Sequence, residues 1–313
     1  MKILFITSNR VGDAVLSTGL LAWMEKQYPT ARFTIACGPY AADLFRATPR
    51  LDKIIVLKKK SWNRHWLGLW RQAILTRWDL IVDLRDSAVS RLVRAERRAY
   101  RVRNHDNMQH KVVKNGLTLN LSPPPAPHIW LDAKAEAAAE KLLPPLQPFL
   151  ALGPAANWPV KQWPIERFAE LAQKLTSERG PLPGAPIMII GDEKERAQIM
   201  PLINALPKNQ AVDIIGQDLM TVAACLKHAT LFVGNDSGLM HLSAAVGTKT
   251  LGLFGPGYEE MYAPWGPHCA FVRTPESRKE LLKRLKHPGA HHPNLMESLT
   301  VDTVVNAAER LLG

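Results

Sequence analysis

LFVGNDSGLMHLSAAVGTKTLGLFGP, residues Leu231 to Pro256, spells out a strand, a turn, a helix and a second strand in order. The apolar run Leu231 to Val233 predicts a strand, Gly234 to Gly238 a tight polar turn, and the small residues that follow a helix. Thr250 to Phe254 predicts the second strand. A helix that begins directly after a strand points unpaired N–H groups over the strand's carboxyl end, and such a start attracts anions, phosphates above all. Gly238 lets the backbone approach a ligand closely, and Asp236 offers a carboxylate to sugar hydroxyls. An ordinary βαβ unit, with Asp236 as a helix cap, accounts for the same residues.

Outward from this unit the same alternation recurs. In the first half, strands are expected at residues 3–6, 33–36, 53–57 and 80–83, with a helix over 13–27 whose stripe is Val15, Leu16, Gly19, Leu20, Trp23 and Met24. In the second half, strands are expected at 149–152, 187–190 and 212–215, and helices at 165–178, 193–206, 220–228 and 301–312. Short apolar strands alternating with amphipathic helices predict an α/β fold with mostly parallel sheets. Proline clusters at Ser122 to Pro127 and at Pro144, Pro145 and Pro148 mark a break. Two α/β domains are therefore expected, residues 1–145 and 146–313, with the site in an inter-domain cleft at the carboxyl ends of the strands.

Composition narrows the class. The chain has 313 residues, 46% hydrophobic and 22% charged, as in a soluble globular protein. Cys37, Cys225 and Cys269 are widely spaced and suggest neither a disulfide framework nor a zinc cage. No apolar run is long enough for a membrane span or a signal peptide's core, so a cytoplasmic protein is expected. The net charge of +12 points to a nucleic acid, an anionic membrane or an acidic glycolipid as partner, or serves solubility alone. It is concentrated in the first half, at Lys58 to Lys60, Arg64 and Arg71, and again at Arg91, Arg94, Arg97, Arg98, Arg101 and Arg103, with His105, His110 and Lys111 after them.

Three loops carry the chemistry. Asn9 to Asp13 follows the first strand but lacks GxGxxG and holds an acid, which disfavours a pyrophosphate there. Asp13 suits a general base, or merely caps its helix. Gly153 to Pro164 again links a strand to a helix, and its Lys161 can reach a phosphate as a point charge. Trp163 is expected to pack rather than touch a ligand. The third loop holds Asp236, Ser237, Gly238 and His241; taken alone, His241 reads first as a structural residue.

An early R-x-G-D, a central W-x-x-K-x-W-P and the late N-D-S-G-L-x-H-L-x-A-A-x-G run together resemble the heptosyltransferases of glycosyltransferase family nine, from Arg10 to Pro256. The resemblance implies a GT-B fold of two Rossmann-like domains, the first (1–145) acceptor-binding and the second (146–313) nucleotide-sugar-binding. It also implies an inverting, metal-independent glycosyltransferase moving a heptose from ADP-heptose to an acidic lipopolysaccharide-core acceptor of the lipid A–Kdo type. Asp13 matches the family's base, Lys161 the lysine that neutralises the departing diphosphate, and Asp236 the aspartate near donor sugar and phosphate, beside Ser237, Gly238 and His241. Glu195, rather than Glu193, matches the carboxylate on the nucleotide ribose. Two departures stand out: Ala155 and Ala156 replace hydroxyl residues at the phosphate turn, and Lys283 to His292 replaces a stretch that often holds cysteines.

The basic face, with Arg10, Arg91, Arg94 and Arg98, fits an anionic glycolipid acceptor at the inner-membrane surface and a peripheral position on its cytoplasmic side. Trp62, Trp66 and Trp70 would form one helical stripe, turned to a membrane or to the core. No metal, further cofactor, nucleic acid or obligate protein partner is expected, although His287, His291 and His292 invite the metal question. The rival functions are a sugar-nucleotide epimerase of the same fold and a non-catalytic nucleotide-sugar or nucleic-acid binding module.

Overall fold

The protein is described from a computed structural model, which covers residues 1–59, 61, 64–102, 108–143, 148–285 and 294–313. It divides into two compact units, Met1–Asp132 and Ala133–Gly313. Trp62, Lys60, Arg103, His105, Pro144, Pro145, His287, His291 and His292 lie outside the described residues.

Unit 1 is a sheet of five parallel strands, β1 (Lys2–Ile6), β2 (Arg32–Cys37), β3 (Leu51–Val56), β4 (Trp78–Asp83) and β5 (Ala95–Tyr100), in the spatial order β3-β2-β1-β4-β5. Ile3 pairs with Phe33 on one side and Leu80 on the other. A central parallel strand is covered on both faces, so it reads as an unbroken apolar run. In β1, every residue after Lys2 is buried. The helices are α1 (Val11–Val15), α2 (Thr18–Gln27), α3 (His65–Ala73), α4 (Val89–Leu92) and α5 (Lys111–Leu117).

The single helix expected over 13–27 is in fact two, α1 and α2. Ser17 Oγ donates to the Ala14 carbonyl at 2.7 Å and meets Thr7 Oγ1 at 2.7 Å, and Thr18 Oγ1 donates to Val15 O at 2.7 Å. Hydroxyls that bond the preceding turn compete with the helical ladder. Strand β5 was not expected, because Ala-Glu-Arg-Arg-Ala-Tyr has no apolar alternation; among the described residues it forms an edge, pairing with β4 alone. In α3, Trp66 and Trp70 pack against the core of unit 1 with buried Leu69 and Ala73. For these two tryptophans the core alternative holds.

Unit 2 has six parallel strands: β6 (Leu150–Gly153), β7 (Ile187–Ile189), β8 (Ala211–Asp213), β9 (Leu231–Asn235), β10 (Thr250–Phe254) and β11 (Cys269–Arg273). Their order, β11-β10-β9-β6-β7-β8, is the dinucleotide-type Rossmann arrangement. Its helices are α6 (Ala133–Leu142), α7 (Ile165–Thr176), α8 (Arg196–Ala205), α9 (Leu219–Lys227), α10 (Gly238–Ala245), α11 (Glu259–Tyr262), α12 (Arg278–Lys283) and α13 (Val301–Leu312). Helix α7 buries Phe168, Leu171, Ala172 and Leu175 at helical spacing. Each such large apolar side chain contributes roughly 1.5–3 kcal/mol. Helix α6 precedes the expected boundary at 145, yet it packs on α9, so the compact units part at Asp132 instead.

Candidate active site

In an open α/β sheet, ligands gather outside the carboxyl ends of the strands where the spatial order reverses. In unit 2 that point lies between β6 and β9. The loop after β6 carries Lys161 on a 3-10 turn, Pro159–Lys161, and the turn after β9 carries Asp236 and Ser237 at the start of α10. The Lys161 ammonium and the Asp236 carboxylate form an ion pair, with 24% and 9% of their side chains exposed.

Buried polar groups hold this arrangement. Asn235 is fully buried; its Nδ2 donates to Pro154 O at 2.7 Å and its Oδ1 accepts from the Trp163 amide at 3.0 Å. One side chain thus fastens both ends of the loop that carries Lys161. Trp163 lies beneath the loop, only 1% exposed, donating its indole N–H to Leu299 O at 2.8 Å. Ala155 and Ala156 are buried as well. Gly257, in the loop after β10, approaches so closely that a Cβ there would stand 2.6 Å from an Asp236 carboxylate oxygen.

Ser237 is the N-cap of α10 in extended backbone, and its hydroxyl makes no capping bond. The amides at the start of this eight-residue helix thus stand over the strand end. His241, one turn on, is 4% exposed with its ring 6.3 Å from that of Tyr262. Glu195 lies after β7, where its carboxylate accepts from the Asp192 amide at 2.9 Å in a capping box. Glu193 is paired with Arg196 at 2.7 Å, which also binds Asp213 at 2.6 Å.

In unit 1 the order reverses between β1 and β4. A polar cavity of about 490 Å³ opens there, and both Arg10 and Asp13 line it. Arg10 is the N-cap of α1 and Asp13 stands in its first turn, so the capping alternative for Asp13 is not what the local geometry shows. Around this carboxylate the cavity adds Lys59, Arg85, Arg101, Lys111 and Lys114. Burial, reinforced by Arg101, Lys114 and Arg10, pulls the Lys111 amine below the ordinary lysine range against the opposing pull of Asp13. Burial, with Arg85 and Lys59, likewise lowers His65, another lining residue. Such a cationic concavity concentrates anions.

Of the arginines expected to meet an acceptor, only Arg10 lines the cavity. Arg91 pairs with Asp86 at 2.5 Å and lies over the Tyr100 ring. Arg98 donates to the carbonyls of Ser90, Ala95 and Val93 at 3.0, 3.1 and 2.8 Å, stitching the end of α4 to β5. Arg94 is exposed between these two elements. Arg85 escaped the sequence reading because an isolated arginine after a strand has no distinctive neighbour. An apolar groove of about 250 Å³ along α7 and α8, lined by Ile165, Ala169, Pro201 and Ala205 among others, lies away from these loops. Among the described residues, no helix is long and apolar enough to cross a membrane.

Two Rossmann-like units, each with its loops at the switch point of its own sheet, are the parts of a GT-B fold. The fold is shared with the Escherichia coli ADP-heptose lipopolysaccharide heptosyltransferase II, at a TM-score of 0.75 and 21% identity over 100% of this chain and 98% of that one. It is shared equally with E. coli heptosyltransferase WaaC solved with ADP, at a TM-score of 0.75 and 18% identity over 99% and 100% of the two chains. The chain belongs to glycosyltransferase family 9 (heptosyltransferase), whose profile matches residues 70–290. Among curated relatives, lipooligosaccharide heptosyltransferase 2 of Haemophilus ducreyi is 23% identical over the full length of both chains. The chain is therefore an enzyme, a glycosyltransferase, and neither an epimerase nor a passive binding module.

Proposed function

We propose that the enzyme transfers a heptose from ADP-heptose to an acidic acceptor of the lipopolysaccharide core, with inversion and without a metal. The observation that carries this reading is the Lys161–Asp236 pair beside the start of α10. An ammonium has three donors and Asp236 takes one, which leaves two for a diphosphate. Helix-terminal amides at Ser237 and Gly238 add fixed positive potential where charge develops on the leaving group. The chain's own cation and dipole thus offer the stabilisation that a divalent ion would otherwise supply.

Asp13 then acts as the base. The acceptor hydroxyl attacks the anomeric carbon, its proton passes to the Asp13 carboxylate, and the bond to the diphosphate oxygen breaks with its electron pair. A single displacement of this kind inverts the anomeric centre. The second oxygen of Asp236 and the His241 ring are proposed to meet the donor sugar, and Glu195 the ribose. Arg10 and the cavity cations would hold the acceptor's acidic groups, with Arg91, Arg94 and Arg98 as outer contacts. Support for an acidic acceptor comes from five Lys or Arg side chains joining Arg10 around one carboxylate. That acceptor would place the enzyme at the cytoplasmic face of the inner membrane. The names of the relatives agree with the substrate class.

The test is ADP release and heptose incorporation with ADP-heptose and heptose-deficient core acceptor in the presence of EDTA, with the product anomer read by NMR. Transfer with inversion is expected. Strict dependence on magnesium or manganese, or retention at the anomeric centre, would overturn the mechanism.

A further inference from the structure

Helix α3 has two unlike faces. Trp66, Leu69, Trp70 and Ala73 turn to the core of unit 1. Arg64, Leu67 and Arg71 occupy the outer side, and Leu75 follows just beyond the helix. Leu67 is 44% exposed and Leu75 is 95% exposed. Helix α4 packs beside α3 and adds Leu92, 65% exposed, followed by exposed Arg94. From Lys53 to Trp78 the sequence holds seven Lys or Arg and no Asp or Glu.

We propose that this outer face, centred on Leu67, Arg71 and Leu75 and extended by Leu92, docks unit 1 on an anionic lipid bilayer. Leucines separated by arginines along one helical face match the boundary between headgroups and acyl chains, where cations meet lipid phosphates and apolar tips enter the hydrocarbon. A nucleic acid would use the arginines but leave the leucines in water. A protein interface would favour an apolar centre with the charges at its rim, whereas here the two alternate. The same segment also lines the Asp13 cavity through Lys59, His65 and Trp66. Docking by the outer side of α3 would keep that cavity next to the membrane that carries the acceptor. This purpose rests on the proposed lipid-anchored acceptor; the docking itself does not.

The experiment is co-sedimentation of the full chain with vesicles of phosphatidylglycerol and phosphatidylcholine, without donor or acceptor. Binding is expected to vesicles containing phosphatidylglycerol, to weaken with salt, and to be slight on pure phosphatidylcholine. Each basic side chain at an anionic surface is worth about fivefold in partitioning. Arg71→Glu should therefore weaken binding by about tenfold or more, and Leu75→Ser should weaken it while leaving the charge unchanged. Both variants should keep the wild-type melting temperature and full turnover on a water-soluble, deacylated acceptor. No binding by the wild type, equal binding to both vesicle types, or unaltered binding by the variants would overturn the proposal. Self-association dissolved by Leu75→Ser would assign the face to a second copy and overturn it too. Failure of turnover on every acceptor would count against the proposed function alone, since vesicle binding is measured without catalysis.

Discussion

Lys161 and Asp236, 75 residues apart in sequence, are joined by an ion pair at the switch point of the second sheet. Neither charge is fully solvated, so each is the other's main compensation until a donor arrives. Lys161→Ala should weaken ADP affinity and slow transfer by about ten- to a hundredfold, since a charge-assisted contact contributes roughly 1.5–3 kcal/mol. It should also destabilise the fold by leaving Asp236 unpaired. Adding Asp236→Asn should recover stability and not turnover. A folded Lys161→Ala enzyme with wild-type kinetics would remove the pair from the reaction.

Asp13→Asn should lower turnover by about 10²–10⁴-fold, the usual contribution of a positioned base. ADP affinity should hardly change, because the proposed phosphate contacts come from unit 2. If Asp13 only complemented the dipole of α1, the loss would be about 0.3–1 kcal/mol of stability with turnover retained. Melting temperature, ADP affinity and turnover on this one variant separate the two roles.

Lys111 offers a pH-dependent check. Burial lowers its pKa, so the folded state disfavours the charged amine. That cost is present below the folded pKa and is relieved as pH rises from there towards the ordinary lysine value. Lys111→Met should therefore raise the melting temperature at neutral pH and flatten the gain in stability on the alkaline side. It should also raise the acceptor KM, because a cavity cation is lost. A melting temperature lower by several degrees would show that the amine is a net stabiliser.

Arg94 and Arg98 should behave differently despite their proximity. Arg98→Ala removes three bonds to main-chain carbonyls and is expected to cost about 1 kcal/mol of stability, a figure discounted for exposure. Arg94→Glu should leave stability alone and raise the acceptor KM in a salt-sensitive way, with ADP affinity constant. An equal fall in ADP affinity would contradict the assignment of acceptor binding to unit 1.

The strands of both sheets that lie at the centre were legible because burial on two faces leaves an apolar signature, as in Ile3 to Ile6 and Leu231 to Val233. The edges were not. Strand β5 presents Glu96, Arg97 and Arg98 to solvent, and β11 is only partly buried, so neither carries that signature. Lys161, Asp236 and Asp13 could be named as candidates because each lies where a strand passes into a helix, Asp13 in the first turn of α1 itself. Asn235 could not, although it fastens the loop that bears Lys161, because its partners are a carbonyl and an amide more than 70 residues away. Side-chain bonds to distant backbone leave no local pattern. Glu195 shows the converse: its local capping box is visible in the spacing of Asp192 and Glu195, and ribose binding would have to coexist with it.

Strand β6 precedes β9 by some 80 residues, yet Leu150 pairs directly with Leu231. The loops bearing Lys161 and Asp236 therefore meet only after a long segment has been closed, an entropic cost that slows non-local pairing. During synthesis, a nascent chain that has emerged only as far as α9 would hold β6, β7 and β8 but lack the partner for Lys161. Nucleotide could not assist the early collapse of this unit. It would act only afterwards, as a clamp on the completed pairing, so added ADP should slow unfolding far more than it speeds refolding.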